Sequence, residues 1–138
     1  QFGIYTAVSE YTLNMEYLNE KGEKQKVMDQ VEARFIDNIT VVGKSEPVKI
    51  YELCAMKGGL TSEEKRLFDL FDRGIYYYRR MEWDEAIKYF RESYKIERIP
   101  DAPTNPSEVY IRRCMAYKIN PPVAPGQKWD GVFRMTKK

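Results

Sequence analysis

The residue types that most often perform chemistry in proteins are unevenly represented in this chain. There is no histidine among the 138 residues, which excludes Ser-His-Asp and Cys-His catalysis within the chain, together with histidine-ligated metal sites. Cys54 and Cys114 are its two cysteines, and they lie far apart in the sequence, without the spacing of metal ligands. We expect both to be buried thiols of a reducing compartment, with a disulfide as the less favoured alternative.

Acidic residues in the second half of the chain form a group that could be read as a metal cluster. The group consists of Asp69, Asp72, Asp84 and Glu85. Basic residues within helical reach favour an ion-paired helix surface instead, because opposite charges three or four residues apart on a helix attract each other. These basic residues are Lys65, Arg66, Arg73, Arg79 and Lys88. We therefore assign no metal ligand to the chain.

Three consecutive tyrosines, Tyr76-Tyr77-Tyr78, are a candidate for binding a partner. Successive rings on a helix point around more than half of its circumference, so at least one should lie on the side that does not face the next helix. One interpretation is ordinary amphipathic packing with the hydroxyl groups in water, which tyrosine tolerates. The other is a docking groove for a peptide or a neighbouring domain.

Composition and charge describe a globular protein. Hydrophobic residues make up 43% of the chain and charged residues 32%, and 23 basic residues nearly balance 21 acidic ones. This balance gives no reason to expect nucleic acid or anionic lipid as a partner. No apolar run approaches the roughly 20 residues that span a bilayer. Because the chain begins without methionine, inside a strand-like stretch, we expect it to be a piece of a longer protein.

The stretch Val31–Leu53 predicts an antiparallel hairpin. Apolar residues occupy one face of its first run by period two: Val31, Ala33, Phe35, Ile39 and Val41. Polar residues occupy the other face: Glu32, Arg34, Asn38 and Thr40. This alternation is typical of a half-buried strand. Gly43 supplies the backbone angles of a tight reversal, and Pro47 follows where a missing N–H is tolerated. The second run, Val48–Leu53, is again β-branched and aromatic.

The same hairpin resembles the closing hairpin of class III adenylate/guanylate cyclase catalytic domains. That family usually has the pattern V-K-G-K-x-x-P-V-x-V-Y-E-L, and this chain has V-V-G-K-S-E-P-V-K-I-Y-E-L from Val41 to Leu53. The stretch Gly3–Ser9 and the helix after it are similar to the strand and helix that precede the hairpin. From Leu70 onward the chain resembles the tetratricopeptide-like helical tail of some bacterial cyclases, including the ending Trp129-Asp130-Gly131-Val132.

The resemblance implies where nucleotide chemistry would take place. In the family, the first lysine of V-K-G-K contacts the triphosphate, since an ammonium group can neutralise phosphate charge as pyrophosphate leaves. That position is Val42 here, so Lys44 is the remaining candidate for nucleotide-phosphate binding; the alternative is a turn residue in water. The family's metal-binding aspartates, base-selecting residues and Asn/Arg pair would precede Gln1. The resemblance thus implies two divalent metals (Mg²⁺ or Mn²⁺) for the intact cyclase, but no catalytic or metal residue here and no activity of this chain alone.

The region before the hairpin predicts a strand and a helix. Ser9 is placed to cap a helix that we expect to end near Asn19. The charged stretch Glu20–Gln30 contains a glycine and is typical of a solvated loop or a frayed helix end. After the hairpin, Lys57-Gly58-Gly59 interrupts the pattern, and we place a boundary between two regions there.

Three helices are predicted after this boundary. A capping box predicts that the first starts at about Ser62, and apolar periodicity predicts the second from Trp83 to about Arg98. The third should begin after Asn105, which precedes a proline at the first helical position. Gly74 and Ala86 match the small-residue spacing of a single tetratricopeptide unit, in which they let two antiparallel helices approach each other.

The last segment, Pro121–Lys138, is rich in Pro, Gly and Lys, a composition that favours disorder. Against this, Trp129 and Phe133 are too apolar to be left in water without a reason. Prolines also lower the entropy cost of laying the segment on a surface. We therefore expect Trp129 to be buried against the helices, so that the segment acts as a clasp.

Together these patterns predict an α+β fold: a strand–helix–β-hairpin remnant of a cyclase catalytic domain over residues 1–57 and a three-helix tetratricopeptide-like tail over residues 58–138. The resemblance implies the C-terminal region of a class III nucleotide cyclase. When intact, this enzyme would convert ATP to a cyclic nucleotide and pyrophosphate, with GTP as the less favoured alternative substrate. It also implies that the rest of the catalytic domain is a partner of this chain and that the intact protein is a homodimer. The implied location is the cytoplasm, where the chain could also be the cytoplasmic part of a membrane-anchored protein. The alternative is a non-enzymatic tetratricopeptide-like module that binds a protein.

Overall fold

The computed structural model describes residues 4–40, 43, 45–99 and 102–135, and the chain divides into two compact units. The helical unit contains Ser62–Gly131, and the sheet unit contains Tyr5–Thr61 together with the residues from Val132 onward. Four α-helices and a small mixed sheet are present in the described part of the chain, which confirms a mixed α+β architecture. None of the helices in these ranges is long and apolar enough to cross a membrane.

The described residues form the following helices and strands. In chain order they are β1 (Ala7–Ser9), α1 (Glu10–Leu13), β2 (Glu16–Leu18), β3 (Lys24–Lys26), a 3-10 turn (Val27–Asp29), β4 (Val31–Thr40), β5 (Val48–Met56), α2 (Ser62–Arg79), α3 (Trp83–Tyr94), α4 (Pro106–Ile119) and β6 (Phe133–Arg134).

The main sheet has the strand order β1-β5-β4-β6. The predicted hairpin is confirmed: β4 and β5 are antiparallel, with Arg34 opposite Glu52 and Ile39 opposite Val48. Strand β1 is antiparallel to β5 on the other side. Strand β6 runs parallel to β4, with Ile39 opposite Phe133, and it returns to the sheet from the far end of the chain.

The two faces of β4 do not follow the predicted alternation. Apolar side chains expected in the core are only partly buried: Val31, Ala33 and Phe35. In contrast, Arg34 and Ile36 are 2% and 0% exposed, so the assignment of Arg34 to the solvent face was wrong. Register irregularities after Glu32 and after Phe35 change which side chains share a face. Arg34 is accommodated in the interior because the carboxylate of Glu52 lies opposite it, a pairing that an apolar/polar alternation does not detect.

Helix α1 is a single turn that ends at Leu13, so the predicted extension to Asn19 was wrong. Ser9 caps it as predicted, because its hydroxyl oxygen accepts a hydrogen bond from the N–H three residues on at 3.3 Å. The chain then forms the antiparallel β2–β3 hairpin. Strand β2 lies where the sequence predicted the end of the helix, and β3 lies within Glu20–Gln30, the stretch predicted to be a loop or a frayed helix end. Its turn depends on Asn19, whose side-chain oxygen accepts bonds from two N–H groups of the turn at 2.9 Å each.

In the helical unit, the predicted helix starts agree with the structure better than the predicted helix ends do. Helix α2 begins at Ser62, and Asn105 caps α4 by accepting a bond from a backbone N–H at 2.9 Å. Helix α3 ends at Tyr94, about one turn before the predicted end near Arg98. The residues beyond it belong to the connection, in which the Glu97 carboxylate accepts a bond from a backbone N–H of the first turn of α4 at 3.2 Å.

The helices meet around fully buried aromatic rings. Phe71, Phe90 and Tyr110 lie within 5.0–5.4 Å of one another, measured between ring centroids, and come from three different helices. Gly74 is the position of closest approach, because a Cβ placed there would lie 2.6 Å from a ring atom of Phe90. The predicted close approach of two helices at Gly74 is therefore confirmed.

We expect Gly74→Ala to lower the free energy of unfolding by about 1–3 kcal/mol, because the Phe90 ring is enclosed and cannot move aside. On an unobstructed helix the same change would be stabilising by about 1 kcal/mol. The sign of the change in the free energy of unfolding, measured in urea, therefore shows whether the two helices are in close contact at this position. In a Phe90→Leu background the change should become neutral or stabilising. Equal destabilisation in both backgrounds would show that the contact is not the cause.

Trp129 is buried, as the clasp hypothesis predicts. Its side chain is 8% exposed. The indole lies edge-on to Tyr78, Trp83 and Tyr117, at centroid distances of 5.0, 5.8 and 5.5 Å. The segment after α4 thus folds back and closes the aromatic cluster of the helical unit.

Candidate functional site

The first candidate site residue, Lys44, lies in the sequence between the end of β4 and the start of β5. Lys44 and Val42 lie outside the residues that the structure describes. Gly43 has a φ of +84°, the left-handed conformation expected of it. At the base of the turn, β5 pairs with β4 as far as Ile39, and β6 pairs with Ile39 and Thr40 on the other side. The strand that leads into the turn is therefore held on both sides.

Strand β6 was not found by sequence reasoning, which considered only a contact with the helices. The backbone N–H of Met135 donates to the carbonyl oxygen of Thr40 at 3.0 Å, and Val132 is 4% exposed. The available signal was the adjacent apolar pair Val132 and Phe133 directly after a glycine. A strand of two residues is too short to show a periodic pattern.

The three tyrosines lie in three different environments. Tyr78 is 1% exposed and belongs to the core, so it is not accessible to a partner. Tyr76 is 56% exposed, and the guanidinium of Arg80 lies 5.3 Å from its ring centroid. Tyr77 is half-buried and stacks on Tyr89 with centroids 5.6 Å apart. A partner could reach Tyr76 and part of Tyr77, and for these two the binding role stays a prediction.

The acidic residues considered as a metal cluster mostly form ion pairs on the helix surface, as predicted. The pairs are Asp69 with Arg73 at 3.2 Å, Glu85 with Lys88 at 3.0 Å, and Asp84 with Lys118 at 2.7 Å. The last pair joins α3 to α4, and the hydrogen bond from Lys118 lowers the pKa of Asp84. Within the part of the chain that the structure describes, no group of three or more His, Cys, Asp or Glu could hold a metal ion.

A buried cluster of hydroxyl and carboxylate groups joins α3 to the start of α4. The hydroxyl oxygens of Ser93 and Ser107 are 2.6 Å apart, and the Ser107 hydroxyl donates to the Glu97 carboxylate. Both serines are fully buried, and Glu97 is 8% exposed. A serine beside a carboxylate could suggest a nucleophile, but these hydroxyls are inaccessible to a substrate and bonded inward. The cluster serves as a helix cap contributed by a neighbouring segment.

Cys114 is inert as a nucleophile. It is a free thiol with 0% exposure, and burial raises its pKa to about 12. Since only the thiolate attacks electrophiles, Cys114 should not react near neutral pH. The predicted buried thiol is confirmed at this position, whereas Cys54 is a half-buried free thiol.

The raised pKa of Cys114 predicts a loss of stability at alkaline pH. The unfolded thiol ionises from about pH 8.5, whereas the folded one stays protonated, so deprotonation favours unfolding between these limits. The contribution of the Cys114 thiol to the free energy of unfolding should fall by about 1.4 kcal/mol for each pH unit above the pKa of the unfolded thiol. Urea unfolding of wild type and Cys114→Ala at increasing pH measures this loss, because the two proteins differ only in this thiol. Parallel pH curves for the two proteins would contradict the prediction.

An open groove of about 600 Å³ lies between α3 and α4. Its lining residues are Asp84, Ile87, Lys88 and Arg91 on α3 and Met115, Lys118 and Ile119 on α4. Met115 is 52% exposed and Ile119 87% exposed. Sequence reasoning missed this groove. The signal was the spacing of Met115 and Ile119, which places both on one side of the helix.

A second concavity, of about 390 Å³, lies on the partly buried face of the β4–β5 hairpin. Lys49, Lys57 and Tyr51 line it, together with two carboxylates. These carboxylates are bound to backbone: Glu10 accepts from the N–H of Lys49 at 3.3 Å, and Glu32 accepts from the N–H of Gly58 at 2.8 Å. The carboxylates thus fasten neighbouring segments to the sheet.

Comparison with known proteins gives one similarity of direct interest. The chain is 32% identical over 93 residues to a protein of Dictyostelium discoideum named "Adenylate cyclase, terminal-differentiation specific". The match covers 64% of this chain but only 4% of the length of that protein. No protein-family model matches the chain, and no solved structure matches it significantly. The chain therefore contains a region related in sequence to an adenylate cyclase.

Proposed function

We propose that this chain is the C-terminal region of a class III nucleotide cyclase, with residues 1–57 completing the catalytic sheet and residues 58–138 forming a tetratricopeptide-like packing or regulatory tail. The observation that carries the proposal is the similarity to an adenylate cyclase over 64% of the chain. The antiparallel β4–β5 hairpin supports it, because the last part of the motif, Val48–Leu53, lies in β5 and pairs with β4. We extend the proposal to a bacterial origin, a cytoplasmic location and a homodimer of the intact protein.

In this proposal the intact enzyme converts ATP to a cyclic 3′,5′-nucleotide and pyrophosphate, with GTP as the less favoured alternative substrate. Lys44 would contribute positive charge near the phosphates, on a turn whose base is held by β5 and β6. The two divalent metals of such an enzyme, Mg²⁺ or Mn²⁺, would be bound by carboxylates contributed by the rest of the catalytic domain. We assign no step of the reaction to the carboxylates described above. They form ion pairs with lysine or arginine side chains of this chain, or accept hydrogen bonds from its backbone N–H groups.

The test is cyclic-nucleotide synthesis by the intact gene product that contains this chain. Incubation with ATP or GTP and Mn²⁺, followed by chromatography, should show a cyclic nucleotide. The isolated 138-residue chain should show no turnover above a buffer blank. The proposal is wrong if the intact product makes no cyclic nucleotide from either ATP or GTP, or if the isolated chain by itself makes a cyclic nucleotide.

Lys44→Ala in the intact product tests the role of Lys44 separately. Removing one well-placed cation or donor at developing negative charge typically costs a factor of about 10²–10³ in rate. Lys21→Ala, on the β2–β3 turn, is the matched control and should leave the rate unchanged. An unchanged rate in Lys44→Ala would identify Lys44 as a turn residue in water.

A second candidate function is a non-enzymatic module that binds a protein partner. The observation that favours it is the open groove between α3 and α4, where Met115 and Ile119 leave apolar surface in water. The exposed side chain of Tyr76 is a further possible contact, at a different place on α2.

A further inference from the structure

The groove between α3 and α4 combines apolar and basic lining. Its apolar members are Ile87, Met115 and Ile119, and its basic members are Lys88, Arg91 and Lys118. Ile87 is 7% exposed, whereas Met115 and Ile119 project far into water. Two large apolar side chains one helical turn apart are costly to leave exposed on a small domain, and such patches commonly mark interaction sites.

The shape of the groove fits a helix. On α3 the lining positions run from Asp84 to Arg91, which is two turns or about 10 Å along the axis. On α4 they run from Met115 to Ile119, about one turn. A helix can place its side chains between these two rows by the same ridge-and-groove packing that holds α3 against α4. An added strand would require a sheet edge with free backbone groups, and helices α3 and α4 offer none.

The charges of the groove favour an acidic occupant. Asp84 is paired with Lys118 at 2.7 Å, and Lys88 is paired with Glu85 at 3.0 Å. Arg91 makes no ion pair with the residues that the structure describes, so its positive charge is not balanced by a carboxylate of the groove. A second copy of this chain, related by a two-fold axis, would bring the same basic patch against itself. Complementarity therefore favours a different, acidic partner.

We propose that this groove binds an amphipathic helix of a partner protein, with large aliphatic side chains on one face and Asp or Glu residues beside them. The aliphatic side chains would cover Ile87, Met115 and Ile119, and the acidic residues would pair with Arg91. This inference rests on the helical unit alone, and it holds whether or not the chain belongs to a cyclase. Because the contact is small, we expect a dissociation constant in the range of about 1 μM to 1 mM.

The experiment uses the full chain and two synthetic peptides of about 18 residues, long enough to form some helix in water. Both carry leucine at helical spacing along one face. One has glutamate at the flanking positions, and the other has lysine at the same positions. Fluorescence anisotropy of the labelled peptides should show binding of the glutamate peptide, and binding at least about tenfold weaker for the lysine peptide.

Matched variants locate the contact. Met115→Glu should weaken binding of the glutamate peptide by about tenfold or more, and Arg91→Glu should reverse the preference between the two peptides. Met56→Glu is the control, since Met56 is 66% exposed on the sheet unit and should leave binding within about twofold. Equal binding of both peptides, no binding of the glutamate peptide, or an unchanged affinity in Met115→Glu would each overturn the proposal. Sedimentation that shows a dimer abolished by Ile119→Glu would assign the groove to a second copy, and would also overturn it.

Discussion

Trp129→Ala should lower the free energy of unfolding of the helical unit by about 3–5 kcal/mol. The indole contacts Tyr78, Trp83 and Tyr117, which lie on all three helices of the unit, so truncation opens a cavity that no single helix can close. A domain of this size has a stability of only about 5–15 kcal/mol, so the loss should be large enough to loosen the unit. Urea unfolding followed by circular dichroism measures it.

Two further proteins separate packing at Trp129 from other causes. Trp129→Phe keeps an aromatic ring in the cluster and should cost clearly less than Trp129→Ala. In a Trp83→Phe background, Trp129 is the single tryptophan, since the chain has two. Its emission should be shifted to the blue and protected from iodide. Emission like that of free indole in water, readily quenched by iodide, would mean that the segment after α4 is loose in solution.

The burial of Trp129 was predictable from its own apolar side chain and from the neighbouring prolines, although the composition of the segment favours disorder. A tryptophan in a proline-restricted segment loses little entropy on docking and gains much from burial. Short-range signals succeeded in the same way elsewhere: Ser9 and Asn105 cap their helices, and Gly43 has a positive φ. Each of the two caps binds a backbone N–H only three residues further along the chain.

The errors concern features that depend on residues distant in sequence. Arg34 was assigned to the solvent face because alternation treats every charge as exposed, whereas its burial depends on Glu52 in the next strand. The prediction extended helix α1 beyond Leu13. The cap that starts the helix is visible in the local sequence, whereas its end is set by the β2–β3 hairpin that follows. Strand β6 pairs with β4 over only two residues, which are too few to produce a periodic pattern in the sequence.

The candidate sites show the same division between local and distant information. The motif around Lys44 could be read from the sequence, since its residues are consecutive. The groove between α3 and α4 could not, because it depends on which faces of two helices remain uncovered after packing. The tyrosines are an intermediate case: their spacing showed that one must face away from the core, and the structure identifies it as Tyr76.

The second large effect is expected at the buried ion pair of the sheet unit. Arg34 Nη1 lies 3.8 Å from Glu52 Oε1, and both side chains are 1% exposed. Glu52 also accepts a hydrogen bond from the backbone N–H of Tyr5 at 3.3 Å, which fastens the chain before β1. Glu52 belongs to the Tyr51-Glu52-Leu53 end of the hairpin motif, so its position there has a structural reason that requires no nucleotide.

Glu52→Gln should therefore lower the free energy of unfolding by about 3–5 kcal/mol, because it removes the carboxylate opposite a guanidinium that water does not reach. The double variant Arg34→Met/Glu52→Leu removes both charges and fills the space with apolar atoms. Replacing a whole buried ion pair is often neutral or stabilising, so the double variant should recover to within about 1 kcal/mol of wild type. Urea unfolding of wild type, the single variants Arg34→Met and Glu52→Leu, and the double variant gives the coupling free energy directly. If the double variant loses the sum of the single losses, then Arg34 and Glu52 act independently, and the burial of Arg34 must be balanced by groups other than Glu52.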